Sequence, residues 1–239
     1  MEFNLGNLIL NLRQQAKVAW PSMVKIYISA VVVLMIAIIV GRIAGLTSYV
    51  LISDPAESNH LSPYTGLISN LCILGWGASA AICIFTAFVT QLNEYFYQRW
   101  FKFFLISGIF STWLGLDDLL QIHESIGEFL GELAGANNPL LDNLLEGVVF
   151  IIYFGLFVVY TVYFRKHIQR TEYLFLILAF GLFAFSIAID TLISDTAFSG
   201  KYLLEKTPKF LGIVSWLIYF SRTGILSIQK YLFTPSRVE

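Results

Sequence analysis

Charge is scarce in this chain. Only 13% of its 239 residues are Asp, Glu, Lys or Arg, against about a quarter in an ordinary soluble domain. The two signs nearly cancel, with fifteen Lys and Arg, sixteen Asp and Glu, and a net charge of −1. No strong field of either sign remains, which excludes a nucleic-acid partner. Cysteine is scarcer still. Cys72 and Cys83 lie on one expected helix about 16 Å apart in rise, so they cannot bridge each other and read as small apolar fillers. There is no His-x-x-x-His pair, no pair of Glu-x-x-His motifs on helices, no Walker-type phosphate loop and no Cys-x-x-Cys-His haem attachment site.

Apolar residues take the place of charge. They make up 57% of the chain, aromatics 16%, and the mean hydropathy is +0.72. About 20 consecutive apolar residues span a bilayer core roughly 30 Å thick. By that measure the chain reads as all-α, a polytopic transmembrane bundle of six helices. The expected spans are about 24–46, 63–91, 101–124, 139–164, 172–194 and 208–229, in one domain covering 23–239. The third span is the informative one. Its uncharged run from Phe103 ends at Leu116 and covers only about 21 Å, so the helix must continue through Asp117 and Asp118.

Prolines suggest helix boundaries. Ser62-Pro63, Asn138-Pro139 and Thr207-Pro208 each read as an N-cap followed by proline at the first helical position. Pro21 marks an expected break between the first span and residues 1–22. In that opening segment Leu5, Leu8, Ile9, Leu12, Ala16 and Ala19 recur at helical spacing, with Asn4, Asn7, Asn11, Arg13 and Lys17 largely opposite. The pattern predicts an amphipathic helix at the membrane interface, and no cleavable signal peptide is visible there.

Eleven of the fifteen basic residues fall on the side of the two termini, and only Arg42, Lys201, Lys206 and Lys209 on the other. The positive-inside rule therefore makes both termini cytoplasmic, in a cell (plasma or inner) membrane. The acids do the reverse: twelve of sixteen lie at or beyond the outer ends of the spans.

The acids converge on the third span. On a continuous helix Asp117, Gln121, Glu124 and Glu128 fall within about 60° of one another, flanked by Asp118 and His123. A helix C-terminus favours cations, and ionisable groups at membrane depth are costly, so a positive partner is expected. Arg42, Lys209 and a divalent metal are the candidates. Asn70, Glu146 and Asp190 lie at similar depth, and together these groups outline an outward-facing, carboxylate-rich pocket. Asp117, Glu124, Glu146 and Asp190 are the candidate metal ligands, with Mg, Mn or Fe favoured over Zn. His123, Glu124 and Asp118 are candidates for acid–base catalysis, and Arg42, Asn70, Gln121 and Lys209 for pocket or ion-pair roles.

Three functions remain open on the sequence. One is a metal-dependent enzyme acting on a membrane-associated substrate. Another is a non-catalytic subunit or scaffold, bound to a membrane protein partner or a second copy, whose ion pairs fix helix register. The third is a cation or proton transporter, for which the cytoplasmic halves offer no comparable polar stripe. Membrane lipids surround the chain in each case. The topology makes a direct prediction: cysteines introduced near Glu57 and Ala136 should react with an impermeant thiol reagent from outside, and those near Lys166 and Ser236 only from inside. Outside labelling near Lys166 would overturn it.

Overall fold

The computed structural model describes residues 5–43, 45, 66–91, 94–133, 139–193 and 201–233, and among these there are helices and turns and no strand. The helices are α1 (Leu5–Ile43), α2 (Leu67–Gln91), α3 (Glu94–Leu120), α4 (Ile122–Leu133), α5 (Pro139–Tyr163), α6 (Arg165–Ile168), α7 (Leu174–Leu192) and α8 (Lys201–Phe233). Three of them contain stretches long and apolar enough to cross a membrane: Leu67–Gln91, Trp100–Leu120 and Lys201–Gln229. Tyr27–Ile43, Ile151–Tyr163 and Leu174–Asp190 are shorter apolar stretches.

Two proline boundaries are corrected. Pro21 lies inside α1, so the expected interfacial segment and the first span form one helix, Leu5–Ile43, roughly 58 Å long. Proline removes a single backbone donor, and Pro21 sits on an exposed side of the helix where that loss is least confined. Gly45, with φ +74°, ends the segment, its N–H bonded to the Arg42 carbonyl at 3.1 Å. Pro208 likewise lies inside α8, which already runs from Lys201. The carbonyl that loses its helical donor belongs to Leu204, an exposed residue. Pro139 does open α5. Ser62 and Pro63 lie outside the described residues.

The third span is corrected at its end. α3 continues through Asp117 and Asp118 as its length requires, but stops at Leu120. Gln121 adopts φ +49°, a left-handed conformation in which a non-glycine residue is uncommon. The chain then starts a separate helix, α4, so the polar stripe drawn over a continuous helix is broken at Gln121.

Packing places α2 between α3 and α8, with α7 on the far side of α8. Glycines allow close crossings. A Cβ on Gly108 would stand 2.7 Å from Ile84, and one on Gly212 would stand 2.6 Å from Phe183 and 3.2 Å from the Ala179 carbonyl. Gly75 meets Ile213 in the same way, at 2.6 Å, while Ser79 and Cys83, at four-residue steps from Gly75 on α2, are fully buried. Buried Ser and Thr side chains return their protons to the preceding turn, as in Ser79 to the Gly75 carbonyl, Thr86 to that of Ile82 and Ser215 to that of Leu211. At the centre Trp216 is wholly buried and contacts Trp76, Phe110, Phe180 and Phe220, with ring centroids 5.0–6.0 Å apart.

The outside is apolar. Leu74, Phe85, Ile151, Phe154 and Val159 are each more than 60% exposed, a surface that a water-soluble monomer rarely presents. α1 and the α4–α5 pair lie around the four-helix core. α1 is attached by Ala30 and Leu34, by a hydrogen bond between the Tyr27 and Ser215 hydroxyls, and by Gln15, whose Oε1 accepts the Leu174 N–H at 3.2 Å.

The α7–α8 crossing yields a test. Gly212→Ala should lower stability by about 1–3 kcal/mol, the usual cost of overpacking. Gly181→Ala, whose added Cβ meets nothing within 4 Å, should not destabilise. Thermal unfolding in detergent reads both, and equal melting temperatures for the two variants would contradict this crossing.

Candidate acid–base site

The break at Gln121 builds the site. It turns the chain so that the first residues of α4 come back over the last turn of α3. The backbone N–H of His123 then donates to Asp117 Oδ1 at 3.0 Å, and His123 Nδ1 lies 2.7 Å from Asp117 Oδ2. From α5, the Tyr153 hydroxyl donates to Asp117 Oδ1 at 3.0 Å. Asp117 and His123 are both buried, at 4% and 8% exposure. The expected conflict between Asp117 and the dipole of its own helix is thereby offset. The carboxylate sits at the C-terminus of α3 and also on the His123 N–H in the first turn of α4, where a negative charge is favoured.

Asp118, one residue on, points elsewhere. The Trp76 indole N–H donates to Oδ2 at 2.8 Å, and Lys209 Nζ lies 2.7 Å from Oδ1. Lys209 is thus the cation beside Asp118, on α8, while Arg42 ends α1 with an exposed side chain. One helical step of 100° separates the two carboxylates, and it sends them to different helices.

The other candidates are dispersed. Asp190 is half-buried near the end of α7, with Oδ1 3.7 Å from Lys201 Nζ and its backbone carbonyl 3.4 Å from the same ammonium. Beside it, Ser186 donates to the Glu205 carbonyl at 2.8 Å, and Glu205 pairs with Lys206 at 3.2 Å. Asn70 is exposed and Gln121 half-buried. Glu124 and Glu146 fall on α4 and α5, with side chains outside the described residues. Among the described residues no three His, Cys, Asp or Glu side chains group as a metal site would require.

Two participants, Tyr153 and Trp76, are not among the residues singled out from the sequence. Tyr153 stands in an aromatic run with Phe150, Phe157 and Tyr160, but a tyrosine carries a hydroxyl that needs a partner when buried. Trp76 gave the same signal, because a buried indole N–H finds an acceptor. On the opposite side of the core, Arg222 holds Glu172 through both guanidinium arms, Nη2 to Oε1 at 2.8 Å and Nε to Oε2, and joins the start of α7 to α8.

The paired Asp and His have a defined chemistry. A carboxylate at 2.7 Å holds a proton on Nδ1, and in the neutral imidazole that leaves Nε2 as the basic nitrogen. The Asp118–Lys209 pair is a fixed neutral neighbour, and breaking it has a predictable cost. Lys209→Met should destabilise by about 3 kcal/mol, because Asp118 then keeps a largely enclosed charge that has lost its ammonium partner. Adding Asp118→Asn should recover most of that loss. A double variant no more stable than Lys209→Met would show that the pair does not carry the effect.

No curated protein and no solved structure matches this chain. A family model does, the one described as a domain of unknown function (DUF8692), over residues 26–223. That match covers most of the length, and the chain belongs to this DUF8692 family.

Proposed function

We propose that this chain is a six-span integral membrane protein, both termini cytoplasmic, in which Asp117 and His123 perform acid–base chemistry on an amphiphilic substrate from the outer leaflet. Three stretches of membrane-crossing length, three shorter apolar ones and an apolar exterior support the spans. The basic residues gathered beside the termini support the orientation. The observation that carries the chemistry is the buried 2.7 Å contact between Asp117 Oδ2 and His123 Nδ1.

Each group has a role in that reading. Asp117 orients the imidazole and stabilises the imidazolium that forms when Nε2 takes a proton from water or a substrate hydroxyl. Tyr153 and the His123 N–H hold Asp117 in turn. The natural reaction class is hydrolysis of an ester, amide or phosphodiester in an amphiphile. Nε2 is also the atom to which a divalent metal would bind, with Glu124 and Glu146 as the nearest acids in sequence and along α5. Asp117 would then be the carboxylate behind the ligating histidine.

The test is turnover of a panel of fluorogenic lipid esters, amides and phosphodiesters by the protein in nanodiscs, with and without chelator. His123→Ala should lower turnover by about 10²–10⁴-fold, and Asp117→Asn should follow it. Loss in chelator with recovery in Mn or Mg would assign the metal-assisted form. A scaffold whose pairs only set helix register predicts that His123→Ala changes the melting temperature and no turnover. That outcome, or a panel left untouched by the wild type, overturns the enzymatic reading.

A further inference from the structure

The opposite end of α3 carries charge of the other sign. From Asp117 the helix runs back about 22 Å to Lys102, and beside it a tight turn joins α5 to α7. The sequence has no acid between Glu146 and Glu172, yet this turn holds Arg165, Lys166 and Arg170. Burial divides the turn into two faces. Phe164 and Ile168 are buried, and His167 and Thr171 are half-buried. Arg165, Lys166, Gln169 and Arg170 are all exposed. The outward face is thus three cations and an amide.

The turn is a rigid mount for these charges. The N–H groups of Phe164, His167, Ile168, Gln169, Arg170 and Thr171 each donate to a carbonyl three or four residues back, at 2.8–3.0 Å. On the inner face, the His167 ring stacks on Phe103 with centroids 5.8 Å apart and meets Trp100 edge-on at 5.3 Å. Phe103 is the neighbour of Lys102, an exposed residue of α3, so a fourth cation stands beside the turn. Glu172, the nearest acid in sequence, is turned to α8, where Arg222 holds both its carboxylate oxygens.

Next to the cations the surface is apolar. On α5, Val159, Val162 and Tyr163 are each more than 60% exposed. On α3, Ile106 and Ile109 follow Lys102 at steps of four and three residues and share its exposed face. A soluble anion uses the cations alone. An anionic phospholipid uses both parts, its phosphate beside the cations and its acyl chains along the apolar helices, with a tyrosine at the boundary. We propose that Arg165, Lys166 and Arg170, with Lys102 beside them, bind the headgroup of an anionic phospholipid in the leaflet that the six-span reading makes cytoplasmic. Guanidinium forks match phosphate oxygens, and a backbone already ordered loses little freedom when the lipid binds. The inference rests on the membrane spans and not on the acid–base pair.

Native mass spectrometry of the full chain in neutral detergent measures the binding, with dioleoylphosphatidylglycerol and dioleoylphosphatidylcholine as the added lipids. The wild type should prefer phosphatidylglycerol by about a hundredfold, on the order of fivefold for each cation beside the headgroup. Arg165→Gln, Lys166→Gln and Arg170→Gln together should remove most of that preference. They should leave the lipid-free melting temperature unchanged, because all three side chains are exposed. Arg13→Gln, Lys17→Gln and Lys25→Gln together take the same charge from exposed positions on α1 and should leave the preference in place. Inorganic phosphate at the lipid concentration should not compete. Equal binding of the two lipids by the wild type, equal losses in the two triple variants, or displacement by inorganic phosphate overturns the proposal. Insertion of the wild type into phosphatidylcholine nanodiscs tests the spans separately, and a chain that stays in water removes them and this site with them. Turnover of lipid, or its absence, bears on Asp117 and His123 alone.

Discussion

A carboxylate buried without a partner costs several kcal/mol, and α3 ends on two of them side by side. Much of the packing around the C-terminal end of α3 follows from satisfying both. Adjacent residues on a helix point 100° apart, so one neighbour cannot serve the pair. Asp117 takes its protons from α4 and α5, and Asp118 takes its partners from α2 and α8. One turn of α3 thereby ties four other helices together. It joins the tightly crossed core to the α4–α5 pair, and this is also where an imidazole acquires a defined orientation.

Much of this was legible from elementary lengths and periods. The helical class, the apolar stretches and the passage of α3 through Asp117 and Asp118 follow from residue spacing and from the rise per residue. The need for compensation followed from the dipole and from burial, and Lys209 was one of the groups put forward to supply it. Other features were hidden for physical reasons. Prolines at 21 and 208 looked like boundaries, yet a helix survives the loss of one donor where the orphaned carbonyl is not enclosed. Gln121 carries no sign that it turns left-handed, because glutamine is an ordinary helix former. That single dihedral decides whether Glu124 continues a stripe from Asp117 or starts a new helix. It also decides whether Asp117 meets only the unfavourable end of α3 or receives the His123 N–H from the start of α4.

The hydroxyls deeper in the core bear on the competing readings. Passage of protons across the molecule needs groups that accept a proton on one side and release one on the other. Ser107 lies 2.6 Å from the Tyr160 hydroxyl, but it donates its own proton to the Phe103 carbonyl at 2.6 Å. Ser111 accepts from the Trp216 indole and donates to the Ser107 carbonyl, and Thr171, beside the Tyr219 hydroxyl, donates to the Ile168 carbonyl. Each short chain ends on a peptide oxygen, which holds a proton donor in place and passes nothing on. Such bonds pin helices at modest individual strength, and the aromatic rings between them fill the space that water would need. These three hydroxyls thus serve position, whereas the Asp117–His123 pair joins a proton-bearing nitrogen to a carboxylate that can stabilise its charge. Among the described residues, that contrast favours chemistry at the C-terminal end of α3 over passage of protons along these hydroxyls.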